Sequence, residues 1–298
     1  MTLTLALILD AVLGEPKWLW DRAPHPAVLM GRAIGWADKA FNTGNHKRAK
    51  GVLVTAALLM ASLTIGTAIA ALGWPIEAIV AAILLAQKSL VEHVQAVADA
   101  LRNSLKEGRT SVAMIVGRDT AQMDEPAVAR AAIESAAENL SDGVTAPAFW
   151  FAIGGLPAML AYKAINTADS MIGYRTPRHE DFGWASARLD DVLNWIPARL
   201  TALLILATHG TLAKWADVRR EAPKHRSPNA GWPESALARS LDIALAGPRA
   251  YDGALRDFPF VHPAGRRTLG PKDIEIATKA LWRTWWAILV LAALTALI

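Results

Sequence analysis

The stretch from Gly51 to Gly73 carries no charged side chain, and it limits the folds open to this chain more than any other feature. An α-helix rises about 1.5 Å per residue, so a helix of this length crosses about 30 Å of hydrocarbon. The stretch therefore predicts a transmembrane helix. Hydrophobic residues make up 53% of the chain, and further apolar runs follow the same pattern.

The next apolar run opens at Pro75, after the short break Gly73-Trp74-Pro75, which indicates a helical hairpin that returns to its starting side. Near the C-terminus, Trp282, Trp285 and Trp286 are typical of an aromatic anchor at a membrane interface, and the chain after them is apolar. We predict an all-α, polytopic helical bundle that forms a single membrane-embedded domain over residues 1–298. Its membrane segments are predicted near residues 1–13, 51–73, 75–91, 144–165, 200–213 and 282–298.

The first of these segments resembles a signal peptide only superficially. It lacks a cationic beginning and a cleavage site of small residues, and it carries Asp10. We expect this segment to be retained.

Positive charge indicates the orientation. The stretches 17–50, 102–130 and 214–226 are rich in Lys and Arg, which predicts cytoplasmic helical loops by the positive-inside tendency. If residues 144–165 crossed the membrane once, the arginines between 175 and 188 would lie outside. Gly154, Gly155 and Pro157 interrupt that segment, so a re-entrant course is favoured.

Composition excludes several kinds of protein. Without cysteine the chain has no disulfide, no thiolate metal site and no thiol nucleophile. The net charge of +4 is spread through the loops without a basic stripe and interleaved aromatic residues, so nucleic acid is not an expected partner. No glycine-rich phosphate loop of the G-x4-G-K-[ST] form is present.

Acidic residues recur in a stretch that borders apolar runs. Glu134, Glu138 and Asp142 follow one another at steps of four in a helix predicted to end at Gly143, which places three carboxylates on one face. Such a face can hold Mg²⁺, which takes one or two carboxylates and keeps several waters. The alternative is an ordinary solvated helix face. Ionised groups beside apolar segments favour the metal site.

A second acidic group, Asp190-Asp191-x2-Asn194, falls in a helix predicted over residues 185–195. Asp190 and Asn194 share a face of that helix. The neighbouring Arg188 and Arg199 either neutralise these acids or clamp a phosphate, and the sequence leaves both uses open.

Three loops complete the candidate site residues. The stretch 166–175 has the small polar residues of a tight ligand-binding turn, although a capped loop would look the same. Gly117-Arg118-Asp119-Thr120 is a short turn that could offer an arginine and backbone N–H groups to an anion. The loop 225–233 is dense in turn-forming residues and carries no standard mechanism.

Taken together, these strings resemble the membrane-bound adenosylcobinamide-phosphate synthases of cobalamin biosynthesis, the CbiB/CobD type. The similarity covers nearly the whole chain in order. Glu15 stands where Asp would be expected in the first motif, which keeps the charge. The strings are Asp10-x3-Gly14-x-Pro16 with His25-Pro26, Gly117-Arg118-Asp119, and residues 133–145, 162–175, 182–202 and 227–233.

The resemblance implies an ATP-dependent ligase that uses Mg²⁺. Such enzymes form an amide between the propionate of adenosylcobyric acid, a corrinoid, and aminopropanol or aminopropanol phosphate. They are multi-pass proteins of the inner cell membrane, in contact with the lipid bilayer, and partners could include other enzymes of the pathway or a second copy of the chain.

The resemblance also gives the acids and polar residues a set of expected roles. The expected catalytic residues are Glu134, Glu138, Asp190 and Asp191. The expected Mg²⁺ ligands are Glu134, Glu138, Asp142, Asp190 and Asp191. The expected substrate-binding residues are Arg118, Asn139, Asn166, Asp169, Ser170, Arg175, Arg188, Asn194 and Asn229.

Two other functions agree with parts of the sequence. The acidic pairs alone would allow an intramembrane transferase that acts on a phosphorylated lipid or prenyl donor, although its sites usually show matched D-x-x-x-D repeats. Polar residues within apolar segments also suit a transporter or binding subunit for a vitamin or metal. The absence of inverted symmetry weighs against the transporter.

Overall fold

The computed structural model describes residues 1–251 and 254–295 and is almost entirely helical in those ranges. A π-helical turn at Ser141–Thr145 connects α8 to α9. The α-helices are α1 (Thr2–Leu13), α2 (Lys17–Trp20), α3 (Pro26–Phe41), α4 (Lys47–Ala70), α5 (Trp74–Leu84), α6 (Gln87–Asn103), α7 (Leu105–Val112), α8 (Glu125–Leu140), α9 (Ala146–Ile172), α10 (Trp184–Leu193), α11 (Trp195–Thr208), α12 (Trp215–Glu221), α13 (Gly231–Leu241) and α14 (Pro271–Thr295).

In the described part of the chain between α13 and α14 there are four short strands. β1 (Leu245–Ala246) pairs antiparallel with β4 (Phe260–Val261), and β2 (Arg249–Tyr251) pairs antiparallel with β3 (Ala254–Arg256). The sequence did not indicate these strands, because two or three residues are too few to show an alternating pattern.

The chain divides into two compact units. The first contains residues 1–86, 142–195 and 292–298, and the second contains residues 87–141 and 196–291. In the first unit α9 packs against α3, α4, α5 and α10. In the second unit α8 packs against α6, α7, α13 and β1. Each unit thus has one central helix, and the two central helices carry several of the predicted acids.

Most exposed side chains of α4 are apolar, as is typical of a helix that faces lipid rather than water. Large apolar side chains such as Leu53 and Met60 are 70% and 61% exposed. Its buried side is made only of small residues, which let another helix backbone approach closely. These small residues are Gly51, Thr55, Ser62 and Gly66.

Glycine is required where α4 meets the rest of the first unit. A Cβ atom added to Gly51 would lie 1.9 Å from the Phe182 carbonyl oxygen, and one added to Gly66 would lie 2.5 Å from Pro157 Cα. No real side chain fits at such distances. The packing of this span therefore depends on backbone contact, as is common between membrane helices.

The protein is an all-α polytopic membrane protein. Within the described residues, three helical stretches are long and apolar enough to cross a membrane, Lys47–Ala70, Trp74–Asn103 and Glu125–Ile172. A fourth is available if α10 and α11, which are bent by 41°, count as one span. The predicted segments near residues 75–91 and 144–165 fall within two of these stretches, that near 51–73 overlaps Lys47–Ala70, and that near 200–213 overlaps α11.

The two terminal segments are not among these candidate spans, and their course in the membrane stays a prediction. Residues 1–13 form a 12-residue apolar helix, α1, shorter than a full span. The segment predicted at 282–298 belongs to α14, which is not among the candidate spans in the described residues, and residues 296–298 lie outside those residues. The rings of Trp282, Trp285 and Trp286 contact one another, but Trp285 is buried in the protein.

The interruption of α9 is confirmed. Gly154 and Gly155 leave helical geometry, with Gly155 at a φ of 65°, where glycine is favoured. Glu77 Oε1 accepts a hydrogen bond from Leu156 N at 3.2 Å, which satisfies a backbone group freed by the break. The re-entrant course of this segment stays a prediction.

Candidate functional site

A group of polar side chains lies between α9 and α10 in the first unit, and we call it the α9–α10 cluster. Its members are Tyr162, Asn166, Asp169, Asp190 and Asn194. The helix period of α9 puts three of them on one side, since residues 162, 166 and 169 are separated by four and three positions. They face Asp190 and Asn194, which are one helical turn apart.

Asp190 is at the centre of this cluster. Its carboxylate is 8% exposed and accepts a hydrogen bond from Asn166 Nδ2 at 3.1 Å. Asn194 also donates to it. The Oδ1 of Asn194 accepts from the Tyr162 hydroxyl at 2.9 Å. Two amides and a phenol therefore fix the orientation of one buried carboxylate.

Two further carboxylates lie near Asp190. Asp169 and Asp191 are both close enough to interact with it electrostatically. Asp191 is partly exposed and lies 3.6 Å from Arg188 Nη1, and Arg175 also acts on it. Both arginines are exposed. The cluster thus combines one buried and two partly buried acids with arginines at the solvent side.

The remaining predicted residues of this unit are Asp142 and Ser170. Asp142 belongs to the π-helical turn, and its backbone oxygen lies 3.2 Å from the Tyr162 hydroxyl. Ser170 donates to the Asn166 carbonyl at 3.0 Å and is exposed.

A buried ion cluster occupies the second unit, formed by Arg118, Glu134, His225, Glu234 and Arg249. Glu134 is the most engaged member. It accepts hydrogen bonds from Arg118 Nη2 at 2.5 Å and from the backbone N–H of Ala246 at 2.6 Å, and Arg249 Nη2 lies 3.2 Å away. Glu134 is 3% exposed, so two arginines and a backbone donor offset the cost of burying its charge.

His225 and Glu234 lie side by side, and burial shifts the pKa of each in the direction that favours its neutral form. Burial lowers the pKa of His225 to about 4, and the positive charge of Arg249 adds to this. Burial raises the pKa of Glu234 well above its ordinary value, and the neighbouring Glu134 carboxylate adds to this. Nδ1 of His225 accepts from Ser227 N at 3.1 Å, so its proton is on Nε2, 3.6 Å from Glu234 Oε1.

Three other predicted residues belong to this unit. Glu138 is exposed, and Arg226 and Arg249 act on its carboxylate. Asn139 is exposed and donates to the Ser135 carbonyl at 2.9 Å. Asn229 is buried and accepts from Arg199 Nη1 at 3.3 Å. The Arg199 guanidinium therefore pairs with an amide.

Two local predictions were wrong. The helix that carries Glu134 and Glu138 does not run to Gly143, because α8 ends at Leu140 and Asp142 lies in the π-helical turn. Three carboxylates therefore do not continue along one α-helical face. The stretch 166–172 is not a turn, since it forms the last part of α9. The abundance of polar residues there led to the turn assignment, whereas their spacing is helical.

The predicted metal ligands divide between the units, with Glu134 and Glu138 in the second and Asp142, Asp190 and Asp191 in the first. Among the described residues, no three acidic, histidine or cysteine side chains close around a common point. A cation at the α9–α10 cluster would therefore use at most two carboxylates. Mg²⁺ accepts such a set, because it completes its shell with waters and substrate phosphate.

Sequence reasoning missed Tyr162, Glu234 and Arg249. A signal existed for Glu234, which directly follows the turn-rich loop 225–233, and for Tyr162, which lies one helical turn before Asn166. No sequence signal pointed to Arg249, because it lies on a short strand far along the chain from Glu134.

Comparison with known proteins identifies the family. A family model described as "CobD/Cbib protein" matches residues 3–281. The chain belongs to the CobD/CbiB family. It is 49% identical over 301 aligned residues to the cobalamin biosynthesis protein CobD of Sinorhizobium fredii, with 95% of this chain and 92% of that protein covered. The protein of the same name from Rhodobacter capsulatus is 46% identical over 269 residues, with 87% and 86% covered.

The family places this chain among the enzymes of cobalamin biosynthesis, which act on corrinoid substrates. No solved structure matches the chain. The resemblance drawn from the sequence strings is confirmed by these comparisons.

Proposed function

We propose that this CobD/CbiB protein joins the propionate of adenosylcobyric acid to aminopropanol or aminopropanol phosphate through an amide bond, with ATP as co-substrate. The observation that carries the proposal is the α9–α10 cluster, where the buried Asp190 and two partly buried acids lie near exposed arginines. Its setting is a membrane protein whose relatives are named for cobalamin biosynthesis.

The chemistry of the amine substrate suits this cluster. Aminopropanol phosphate carries an ammonium group at one end and a phosphate at the other. Asp169 and Asp190 would hold the ammonium group, and Arg175 and Arg188 would hold the phosphate, for which arginine offers paired donors. The hydrogen bonds from Asn166 and Asn194 would keep the Asp190 carboxylate in place.

The bond changes explain why ATP is needed. A carboxylate oxygen is a poor leaving group until it is phosphorylated. The propionate oxygen attacks the terminal phosphorus of ATP, giving an acyl phosphate and ADP. Asp190 takes one proton from the ammonium group, the freed amine nitrogen attacks the acyl carbon, and the departing phosphate carries off the second proton as the amide forms. When bound, Mg²⁺ would neutralise negative charge on the phosphates during transfer.

Residence in the cell membrane, with several spans, belongs to this proposal too. A corrinoid is large and amphipathic, and a site that opens to the side of a helical bundle can admit it more readily than a closed pocket. Association with other enzymes of the pathway, or with a second copy, would bring this substrate to the site.

A single-turnover assay tests the function. Purified protein in detergent is given adenosylcobyric acid, ATP, Mg²⁺ and either form of the amine, and amide product is followed by mass spectrometry. We expect product from the wild type and a loss of about 100-fold or more with Asp190→Asn, in line with general-base removal. Asp181→Asn, which alters an exposed acid of the same unit, is the matched control and should retain activity.

Corrinoid binding without amide formation from either amine would overturn the proposal. The transporter or binding subunit would then be the better interpretation. Turnover of a phosphorylated lipid or prenyl donor would instead support the intramembrane transferase.

A further inference from the structure

Helix α3 has an exposed apolar face, although the sequence predicted a cytoplasmic loop over residues 17–50. Leu29 and Trp36 of this helix are 50% and 64% exposed. Ala33 lies between them on the same side of the helix and is also exposed. A helix side that faces water normally carries polar residues at these positions. The outer side of α3 is therefore suited to a partner other than water.

The opposite side of α3 is already covered by the first unit. Asp38, the one acid among residues 26–50, is buried and pairs with Arg178 Nη2 at 2.6 Å. Ile34 is fully buried in a hydrophobic cluster, whose other members are Ala168, Ile172 and Phe182. The helix is thus fixed in place by its inner side, and its apolar outer side is left exposed.

The position of α3 along the first membrane span follows from packing that the two helices share. Val54 and Leu58 of α4 pack against the same buried cluster as Ile34. At a rise of about 1.5 Å per residue, they lie roughly 6 to 12 Å beyond Lys50, the last charged residue before the uncharged part of α4. Leu53 of α4 is exposed in this region. Because interfacial helices bury their apolar side to about this depth, α3 lies beside α4 in the outer part of a leaflet.

Helix α3 is too short to cross the membrane. Its 16 residues rise about 24 Å, less than the roughly 30 Å of the hydrocarbon layer. Arg32 and Lys39 are exposed on its outer side. They are seven positions apart, so they form a row beside the apolar stripe. A helix with an apolar stripe beside a row of cations is suited to the membrane interface, where the cations meet lipid phosphates.

We propose that α3 is an interfacial helix that binds anionic phospholipid, with Leu29, Ala33 and Trp36 among the acyl chains and Arg32 and Lys39 at the lipid phosphates. The charge of this region selects anionic headgroups, because residues 26–50 contain five Lys or Arg and a single acid. That acid is already compensated within the protein. The proposal rests on the polytopic membrane fold and does not depend on the amide-forming reaction.

A single labelled cysteine tests the position of α3, since the chain has no cysteine of its own. Ala33→Cys, labelled with an environment-sensitive fluorophore, is placed in nanodiscs of equal parts phosphatidylcholine and phosphatidylglycerol. We expect its emission to be quenched by a nitroxide near the top of the lipid acyl chain and to be protected from iodide in the water. Glu180→Cys, in an exposed loop of the same unit, is the control and should be quenched by iodide.

Two results of the quenching experiment would overturn the proposal. Quenching by iodide as strong at position 33 as at position 180 would place the outer side of α3 in water. Protection of position 33 from both quenchers would place that side under protein, such as a second copy of the chain.

Binding of a fluorescent phosphatidylglycerol to the full-length protein in detergent tests the headgroup contacts. We expect Arg32→Gln and Lys39→Gln each to weaken this binding about fivefold, as is typical of one cation near an anionic lipid surface. Arg32→Lys keeps the charge and should retain most of the binding. Arg219→Gln, which alters an exposed arginine of α12 in the second unit, is the matched control and should bind the lipid as the wild type does.

The headgroup contacts are excluded if the double variant of Arg32→Gln and Lys39→Gln binds phosphatidylglycerol at wild-type strength. An equal loss in Arg219→Gln would also contradict them, since it would indicate a general effect of net charge. Phosphatidylcholine bound as tightly as phosphatidylglycerol would show that the anionic headgroup is not recognised. Displacement of the lipid by inorganic phosphate at the same concentration would indicate a site for a free anion in place of a lipid surface.

Discussion

Arg118 donates a hydrogen bond to Glu134 at 2.5 Å, and the two side chains are only 9% and 4% exposed. The pair joins the turn after α7 to the middle of α8. The sequence suggested Arg118 as a ligand for an anion, but in this structure its charge is engaged by an internal carboxylate. Its first role is therefore to compensate Glu134.

Removing either Arg118 or Glu134 should lower the stability of the fold. We expect Arg118→Gln to lower the free energy of unfolding by about 3–5 kcal/mol, because a buried carboxylate loses one of its partners. Glu134→Gln should cost more, since both Arg118 and Arg249 lose their acid. Thermal melts in detergent give the comparison. An equal stability of Arg118→Gln and the exposed control Arg219→Gln would contradict the expectation.

The glycine at the start of α4 should tolerate no side chain. Gly51→Ala places a Cβ 1.9 Å from the Phe182 carbonyl, so we expect a loss of about 1–3 kcal/mol or more as the helix is pushed away. Gly31→Ala in α3 is the matched control, because its Cβ would have Met171 Sδ at 3.5 Å, an ordinary contact. That control should be neutral or slightly stabilising. Purification yield and melting temperature show whether Gly51→Ala is destabilised while Gly31→Ala is not.

Acid should destabilise the second unit through His225. Its pKa is about 4 in the folded protein and 6.5 when unperturbed, so the unfolded chain binds the proton more readily. Stability is therefore present above pH 6.5 and falls between pH 6.5 and about 4, by roughly 3 kcal/mol at 1.36 kcal/mol per unit. His225→Asn, which retains an acceptor for Ser227 N, should lose this part of the pH dependence in melts recorded across the range. A slope as steep as that of the wild type would exclude His225 as its source.

Glu234 should make the second unit less stable as pH rises, which is opposite to the effect of His225. Its pKa is raised in the folded protein, so stability is full below its ordinary pKa of 4.5 and declines as pH rises toward the folded value. Glu234→Gln replaces the carboxyl group by an uncharged amide of the same shape. We expect this variant to gain stability over the wild type as pH rises from 5 to 8. If it is instead less stable at every pH by a constant amount, Glu234 is ionised in the folded protein.

Loss of the Asn194 side-chain amide should reduce stability and activity more than loss of the Tyr162 hydroxyl, which donates a hydrogen bond to it. Asn194→Ala removes one of the two amide donors to Asp190 and the side-chain acceptor of the Tyr162 hydroxyl, so we expect a loss of about 1–3 kcal/mol together with strongly reduced amide formation. Tyr162→Phe removes only the donor, and should cost about 1 kcal/mol while most activity is retained. Activity that falls equally in both variants would place the tyrosine hydroxyl at the reacting atoms.

The sequence alone predicted the helices of this protein better than it predicted the contacts of the candidate site. The uncharged run 51–73 predicted a span because length and hydropathy are properties of the chain itself, and the structure has α4 there. The proximity of Asp190 and Asn194 was also predictable, since Asn194 caps α10 one helical turn after Asp190. The family strings run in order along the chain, so residue identity and spacing alone were enough to indicate the family.

Only the tertiary structure decided which distant residues meet. Glu134 accepts from Ala246, 112 positions away, and Arg249 reaches the same carboxylate from a short strand. A helical period shows which face a side chain occupies, but it does not name the element that packs there. The structure likewise divided the predicted metal ligands between two units, because the chain crosses from one unit to the other at Asp142.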